Sequence, residues 1–243
     1  MTYCVGLRLR KGLVFMSDTR TNAGVDDIAQ VCKMTSWEVP GERVFTVLSA
    51  GNLATTQTVI SLIDERTKAP EERNPSILEA PSMFQAATII GDLLREVVKS
   101  ADPSGQSAGS TFGATLIFGG QIKGSSPRLF LIYPEGNFIE AGDDNPFFQA
   151  GETKYGRPIL VRAWDDEISF ESAIKLLCVS FDSTIRANAG VDMPLDLQIL
   201  KADDFRVSQS RRMERDDPYF REISQSWSDA LGVALGGLPE FEF

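Results

Sequence analysis

The strongest constraint on the fold is an alternation of side chains at the start of the chain. Behind Met1, the apolar residues Tyr3, Val5, Leu7 and Leu9 alternate with Thr2, Cys4, Gly6 and Arg8. A two-residue period is that of a β-strand with two unlike faces. Most chain ends fray, but a strand this early ties the terminus into a sheet, and Thr2 with it.

Periodicity along the rest of the chain predicts alternating blocks of strands and helices. The predicted strands are 2–9, 13–18, 31–37, 43–49, 111–119, 128–133, 137–141, 145–150 and 195–202. The predicted helices are 52–68, 81–99, 154–163, 169–187 and 217–235. The first four strands are expected to form a meander, and 211–217 a charged link. This order favours an α+β fold, a four-layer αββα sandwich of two antiparallel sheets flanked by helices.

Charge and residue content exclude several classes of function. The 243 residues contain 24 Lys and Arg against 34 Asp and Glu, a formal charge of −10. This acidic balance argues against nucleic acid or an anionic membrane as a partner. The chain contains no histidine, which excludes Ser-His-Asp and Cys-His catalysis and any His-ligated metal. We expect neither a metal nor a cofactor.

Cysteine use and hydropathy indicate a cytoplasmic protein. The three cysteines are far apart and form no CxxC pair, so neither a disulfide framework nor a zinc site is expected. No apolar run reaches the ~18 residues of a membrane span. Because no basic residue precedes Arg8 and no apolar core follows, a signal peptide is not expected either.

Thr2 has a chemical property that an internal threonine lacks. If Met1 is removed, Thr2 carries both a hydroxyl nucleophile and a free α-amine that can act as its base. The amine has an ordinary pKa of ~7.7–8.0, so it is poised near neutral pH. The alternative is an ordinary first strand whose second residue is threonine.

Three more residues could cluster with Thr2 at one end of the predicted sheet. Asp18 ends the second strand, and a tight hairpin brings that end beside the beginning of the first. Lys33 could lower the amine pKa, Asp18 could hold Lys33, and the N–H of Gly51 could bind an oxyanion. Taken singly, an aspartate such as Asp18 is more often a turn residue, a lysine such as Lys33 more often a solvated strand residue, and a glycine such as Gly51 more often a plain turn before a helix.

These positions resemble the landmarks of a known family. Thr2 behind Met1, the 17–20 stretch Ser-Asp-Thr-Arg, Lys33, and the 48–51 stretch Leu-Ser-Ala-Gly are similar to those of proteasome β-type subunits, which are N-terminal-nucleophile hydrolases. The run 151–160, Gly-Glu-Thr-Lys-Tyr-Gly-Arg-Pro-Ile-Leu, resembles the bacterial Anbu group, the ancestral β-subunits.

The resemblance implies roles for individual residues. Thr2 becomes the nucleophile, Asp18 and Lys33 its supporting pair, and Gly51 the oxyanion donor. The positions that line the main specificity pocket are Val31, Thr35 and Ser49, and those that support the catalytic group are Arg20, Glu152 and Thr153. The resemblance also implies one catalytic domain over 1–205 and a C-terminal helical extension over 206–243 that contacts other subunits.

Two departures from the family pattern concern the groups around the amine. A Gly-Ser-Gly stretch is usual where this chain has Gly-Glu-Thr at 151–153, and Arg-Asp-x-x-Ser is usual where it has Arg-Ala-Asn-Ala-Gly at 186–190. Glu152 or Thr153 is the candidate to replace the missing serine. Neither departure removes the nucleophile, so both bear on how active a peptidase would be.

Three functions remain open from the sequence. The first is a threonine-type peptidase that acts on peptides or unfolded proteins within a homo-oligomeric ring or open spiral, supplied by an unidentified unfoldase. The second is a proteolytically weak or inactive scaffold or peptide-binding assembly, which the altered motifs favour. The third is an N-terminal-nucleophile amidohydrolase that acts on small amides.

Overall fold

The structure, a computed structural model, describes residues 2–22, 28–68, 75–101, 111–165 and 167–242. In chain order the elements are β1 (Tyr3–Leu9), β2 (Gly12–Asp18), β3 (Arg20–Asn22), β4 (Ile28–Gln30), β5 (Met34–Val39), β6 (Arg43–Gly51), α1 (Leu53–Arg66), a 3₁₀ turn (Ile77–Glu79), α2 (Met83–Ala101), β7 (Ala114–Ile122), β8 (Arg128–Ile132), β9 (Phe138–Glu140), β10 (Phe147–Gly151), α3 (Arg157–Ala163), α4 (Phe170–Ala187), β11 (Leu195–Lys201), β12 (Gln209–Met213) and α5 (Pro218–Gly236). The helices of this part of the chain are all too short or too polar to span a membrane.

Two five-stranded antiparallel sheets form the centre of the fold. Their strand orders are β10-β1-β2-β11-β12 and β5-β6-β7-β8-β9, and β3 pairs with β4 in a short separate ribbon. Apolar side chains pack the two sheets against each other, with α1 and α2 outside the second sheet and α3, α4 and α5 outside the first. The predicted αββα sandwich is confirmed.

The predicted four-stranded meander is wrong. β1 and β2 lie in the first sheet, whereas β5 and β6 lie in the second. All seven residues of β2 are buried, because β1 and β11 flank it and apolar layers cover both of its faces. Alternation shows that a segment is a strand, but it does not show which sheet the strand joins. The stretch Thr-Asn-Ala-Gly at 21–24 has the composition of a turn, but Thr21 and Asn22 belong to β3, and 23–24 lie outside the described residues.

The two faces of β1 contact different layers. Tyr3, Val5 and Leu7 pack with the helices on the outer face, and Cys4 packs between the sheets. A Cβ at Gly6 would lie 2.9 Å from Ile117, so a glycine lets the sheets approach closely here. The alternation at the start of the sequence therefore reflects two different buried layers, one against the helices and one between the sheets.

Side-chain caps fix the beginnings of the helices. Asn52 Oδ1 accepts a hydrogen bond from Thr55 N at 3.0 Å, and Asp217 Oδ1 accepts one from Phe220 N at 3.0 Å. Both caps agree with the predicted helix starts at 52 and 217, because Asn and Asp side chains satisfy N–H groups that have no partner within the helix. α3 begins at Arg157, three residues later than predicted.

The predicted charged link at 211–217 is partly wrong, because residues 209–213 form the edge strand β12. Four of its five residues are exposed, and it lacks the apolar alternation of a half-buried strand. Backbone pairing with β11, in which Leu197 lies opposite Arg211, defines the strand instead. The domain boundary predicted at 205 stays a prediction, and β12 continues the first sheet beyond it.

The apolar stripe of α5 divides into two parts. Phe220 is buried and Ile223 is partly buried in the cluster that includes α4. Farther along the helix, Leu231, Val233 and Leu235 are 50%, 79% and 71% exposed. The first turns of α5 thus anchor it to the domain, while its last turns present apolar side chains outward.

Gly91 should be the least replaceable helical glycine of the fold. A Cβ there would lie 2.2 Å from the carbonyl oxygen of Gly136, in the turn between β8 and β9. We expect Gly91→Ala to lower the free energy of unfolding by about 1–3 kcal/mol despite its better helix propensity. The control is Gly232→Ala in α5, where a Cβ meets nothing within 4 Å and which should raise stability by up to about 1 kcal/mol. Urea unfolding measures both, and equal effects would contradict the steric argument.

Candidate active site

The β1–β2 hairpin places Asp18 beside the first residues of the chain. Cys4 pairs with Ser17, so the end of β2 lies next to the start of β1. The N–H of Tyr3 donates a hydrogen bond of 2.9 Å to Asp18 Oδ1. The geometry expected for this hairpin is therefore confirmed.

Lys33 lies in the segment between β4 and β5 and reaches the same carboxylate. Its Nζ donates to Asp18 Oδ1 at 2.7 Å and to the carbonyl oxygen of Arg20 at 2.5 Å. The Lys33 and Asp18 side chains are 5% and 0% exposed. The predicted Asp18–Lys33 pair is thus formed, and it is buried.

Burial and neighbouring charge shift the pKa of Asp18 in opposite directions. Burial raises the pKa of its carboxyl above the ordinary value, while the Lys33 charge and the hydrogen bonds from Lys33 and Tyr3 N oppose that rise. A carboxylate without its ammonium partner would be strongly unfavourable at this depth. Each member of the pair therefore depends on the other for its charge.

The loop after β10 holds Thr2 from the other side. The N–H of Glu152 donates a hydrogen bond of 2.7 Å to the carbonyl oxygen of Thr2. Gly151 has a φ of +85°, and a Cβ there would lie 2.0 Å from that same oxygen. The glycine is required both by its backbone conformation and by this close approach.

Glu152 and Thr153 differ in their relation to the site. Glu152 is buried, and its Oε2 accepts a hydrogen bond of 2.9 Å from Asn188 Nδ2. Thr153 contributes its carbonyl oxygen, which accepts from the N–H of Arg157 at 3.2 Å near the start of α3. Of the two candidates for the missing serine, Glu152 is therefore the one with a direct backbone contact to Thr2.

Arg20 makes contacts near the site through both its backbone and its side chain. Its carbonyl oxygen accepts from Lys33 Nζ, and its guanidinium pairs with Asp192 Oδ2 at 3.1 Å. Asp192 lies in the loop between α4 and β11. Arg20 thus connects the Lys33 ammonium to a loop of the first sheet.

A cavity of about 310 Å³ opens beside Thr2. Thr2, Lys33 and Gly51 line it, and so do the predicted pocket residues Val31, Thr35 and Ser49. The remaining lining residues are Thr21, Cys32, Leu53, Thr56, Gln57, Ile60 and Ser61. The structure therefore brings the predicted nucleophile, lysine, oxyanion donor and pocket residues to one cavity.

The α1 wall of this cavity was not identified from the sequence. Residues 53, 56, 57, 60 and 61 follow the spacing of a single helix face. Helical spacing in the sequence places Leu53, Thr56 and Ile60 on one face with Ile63, but it does not indicate that this face adjoins a cavity. A helix that directly follows the predicted oxyanion residue was the available signal for a wall of the site.

Gly51 ends β6 in a conformation that favours glycine. Its φ is +118°, and a Cβ would lie 2.5 Å from the carbonyl oxygen of Gly113. The residue is exposed at the cavity. A larger residue would strain the backbone at the position predicted to bind the oxyanion.

A polar network behind Thr2 was also not predicted. Gln149 Nε2 donates to Tyr3 Oη at 2.6 Å, and Ser180 Oγ, 2.7 Å from Tyr3 Oη, donates to the carbonyl oxygen of Gly156 at 3.1 Å. Burial raises the pKa of the Tyr3 phenol to about 12, so the network holds a neutral tyrosine. Gly156 is required here, because a Cβ would lie 2.2 Å from Tyr3 Oη. In the sequence, Gly156 appears only as part of the 151–160 run that resembles the Anbu group, and that run does not indicate its contact with Tyr3.

Metal ligands are not assembled in this part of the protein. Among the residues that the structure describes, no group of three or more Cys, Asp or Glu side chains is placed to hold an ion.

Solved structures of three bacterial proteins are similar to this chain over nearly its whole length. Anbu from Hyphomicrobium sp. strain MC1, as a Gly-1 mutant, is 52% identical with a TM-score of 0.92, and the match covers 100% of both chains. Anbu (ancestral beta-subunit) from Yersinia bercovieri is 44% identical with a TM-score of 0.92 over 99% of both chains.

The third structure is the helical assembly of the Anbu complex from Pseudomonas aeruginosa. It is 42% identical with a TM-score of 0.91, and the match covers 99% of this chain and 98% of that one. The chain belongs to the Anbu family. Its proteasome-like fold follows from that membership, as the resemblance of the 151–160 run predicts. No protein-family model matches the chain, and neither does any curated protein.

The Tyr3 hydroxyl should contribute measurably to the stability of this Anbu domain. Tyr3→Phe leaves the buried Gln149 Nε2 without its acceptor, so we expect unfolding to become easier by about 1–3 kcal/mol. Tyr155→Phe is the matched control, because Tyr155 is 40% exposed and its hydroxyl can be solvated. Denaturant titration of both variants tests this, and indistinguishable midpoints would show that the network adds no stability.

Proposed function

We propose that this chain is a proteasome-like threonine peptidase in which Thr2 is the nucleophile once Met1 has been removed. One observation carries the proposal: Thr2, Lys33 and Gly51 line a single cavity, with Asp18 buried behind Lys33. That arrangement supplies a nucleophile, a positive charge and a backbone N–H without any histidine. The Anbu family membership supports a hydrolase of the N-terminal-nucleophile kind.

The proposed reaction proceeds through an ester on Thr2. The free α-amine takes the hydroxyl proton while the oxygen attacks the carbonyl carbon of a peptide bond. The N–H of Gly51 stabilises the negative charge that develops on the carbonyl oxygen. The C–N bond then breaks, the leaving amine takes the proton, and a water molecule hydrolyses the ester to release the acid and restore the hydroxyl.

Lys33 and Asp18 act on the charge of the site. The Lys33 ammonium favours the neutral form of the nearby amine, which is the form able to accept a proton. Asp18 and the Arg20 carbonyl oxygen keep that ammonium in place. This role agrees with the burial of the pair, because a solvated lysine would be screened.

The cavity favours uncharged side chains of a peptide substrate. Val31, Thr35 and Ser49 are small or medium in size, and the remaining wall residues carry no charge apart from Lys33. Peptides or unfolded proteins with an apolar or neutral side chain before the cleaved bond are therefore the proposed substrates.

We further infer that the chain acts within a homo-oligomeric ring or open spiral. The relative from Pseudomonas aeruginosa forms a helical assembly. The exposed apolar residues at the end of α5 supply a surface for such contacts here. A cytoplasmic location and an unfoldase that delivers substrates belong to the same proposal.

One observation favours the second candidate, an assembly that binds peptides with little or no hydrolysis. A buried glutamate, Glu152, stands beside Thr2 where the family resemblance leads one to expect a serine. The Glu152 carboxylate accepts from Asn188 Nδ2, so the serine that supports the amine in the family pattern has no equivalent hydroxyl at this position. The two candidates differ in whether Thr2 reacts.

Thr2→Ala should abolish covalent labelling and hydrolysis while leaving the fold intact, because it removes the attacking oxygen. A peptide vinyl sulfone is the probe, and intact mass shows both the loss of Met1 and the added label. Thr21→Ala is the matched control and should keep both labelling and hydrolysis, since Thr21 lines the same cavity but lacks the α-amine. An unlabelled wild-type protein would favour the peptide-binding assembly, and a labelled Thr2→Ala variant would exclude the mechanism.

Lys33→Met should lose at least about 100-fold in labelling rate and also destabilise the fold. The substitution leaves Asp18 as an uncompensated buried charge, which costs about 3–5 kcal/mol. The double variant Asp18→Asn with Lys33→Met removes both charges, so its thermal stability should recover while its labelling stays lost. Recovery of both properties in the double variant would show that the pair is structural only.

A further inference from the structure

β12 presents an edge of the first sheet. Within the ranges that the structure describes, it pairs with β11 alone. Such an edge is a template for another strand, because its outward N–H and C=O groups have no partner in the sheet. Gln209, Arg211 and Met213 line a groove beside α4 and α5, to which Ser210 also contributes. Arg212 lies on the opposite face, where it pairs with Asp196.

A groove runs along β12 on the helix side. Its volume is about 610 Å³, which is within the range of pockets that hold a ligand or a peptide segment. Ile174 of α4, Met213 of β12 and Tyr219 of α5 contribute apolar side chains to it, and Glu171 and Arg211 also line it. The groove therefore offers apolar side-chain space directly beside an edge strand.

Residues 238–243, which follow α5, have the pattern of a strand that would suit this edge. Their sequence is Leu-Pro-Glu-Phe-Glu-Phe, in which aromatic and acidic residues alternate from 240 onward. In the described part of this segment, Leu238 is 62% and Phe241 is 78% exposed. The two-residue period holds from 240 onward, and an exposed aromatic side chain within it favours pairing of this stretch with another surface.

The two faces of such a strand match the two sides of β12. With Phe241 and Phe243 directed into the apolar groove, Glu240 and Glu242 are on the same side as Arg212. Arg212 is bound to Asp196 by hydrogen bonds of 2.7 and 2.8 Å, and its guanidinium has five N–H donors in total. The basic edge therefore retains donors for the acidic face of the segment.

The segment cannot reach the groove of its own chain. The groove lies at the first turn of α5, beside Tyr219, and the segment begins after the last turn. The 19 residues of α5 span about 28 Å. Six extended residues reach at most about 20 Å, so the occupant must come from another molecule.

We propose that residues 238–243 of one copy add as a strand to β12 of a second copy, with Phe241 in the groove. Strand addition of this kind combines main-chain hydrogen bonds with pockets for alternate side chains. Each copy then donates a segment on one side and accepts one on the other, a head-to-tail contact that produces a ring or a spiral. The inference rests on the self-assembly in the proposed function and identifies the contact that carries it.

Sedimentation velocity of the full chain, over a range of concentrations, tests the contact. Deletion of 238–243 should weaken association at least about tenfold, since it removes two aromatic anchors. Phe241→Asp should do the same without shortening the chain. Val161→Asp is the matched control, because Val161 is an exposed apolar residue on α3, 58% exposed, and should leave association unchanged.

A competition experiment separates strand addition from a general hydrophobic effect. A synthetic peptide with the sequence of 238–243, added in excess, should dissociate the wild-type assembly. A scrambled peptide with the two glutamates adjacent and the two phenylalanines adjacent has the same composition without the alternation. It should leave the assembly intact. If the chain that lacks 238–243 assembles as tightly as the wild type, the inference is wrong and the proposed self-assembly stands. If the wild-type chain is monomeric throughout, both are wrong.

Discussion

The buried ion pair between Lys33 and Asp18 is the interaction on which the site depends. Taking two charges out of water is costly unless each has close partners, and here Asp18 Oδ1 accepts from both Lys33 Nζ and the N–H of Tyr3. Three separate segments must therefore be in register: the start of β1, the end of β2 and the segment before β5. The same requirement places the ammonium and Thr2 at one cavity.

Thr2 is held between two backbone contacts that come from different parts of the chain. Asp18 binds the N–H of the residue after it, and the N–H of Glu152 binds its carbonyl oxygen. The Tyr3 network then ties the loop after β10 to α4. These contacts explain why a chain terminus can serve as a positioned nucleophile in the proposed mechanism, since its backbone is fixed on both sides.

Local patterns predicted much of this arrangement. The β1–β2 hairpin, the starts of α1 and α5 and the helix α2 follow from turn residues, side-chain acceptors and helical spacing, which act over a few residues. The meander was wrong because strand period carries no information on sheet membership. β12 was missed because its sequence around Arg211 and Arg212 shows no alternation of apolar and polar residues. Its pairing with β11 depends on backbone geometry, which the sequence pattern does not report.

The sequence by itself determined the chemical groups available: a threonine behind Met1, an aspartate at a hairpin end, a lysine and a glycine before a helix, with no histidine. Its motifs also indicated the Anbu family. Only the tertiary structure decided that Lys33 and Asp18 are buried together, that α1 forms a wall of the cavity, and that Glu152 contacts Thr2. These relations join residues far apart in the chain, and burial and hydrogen-bond geometry exist only once distant segments have packed.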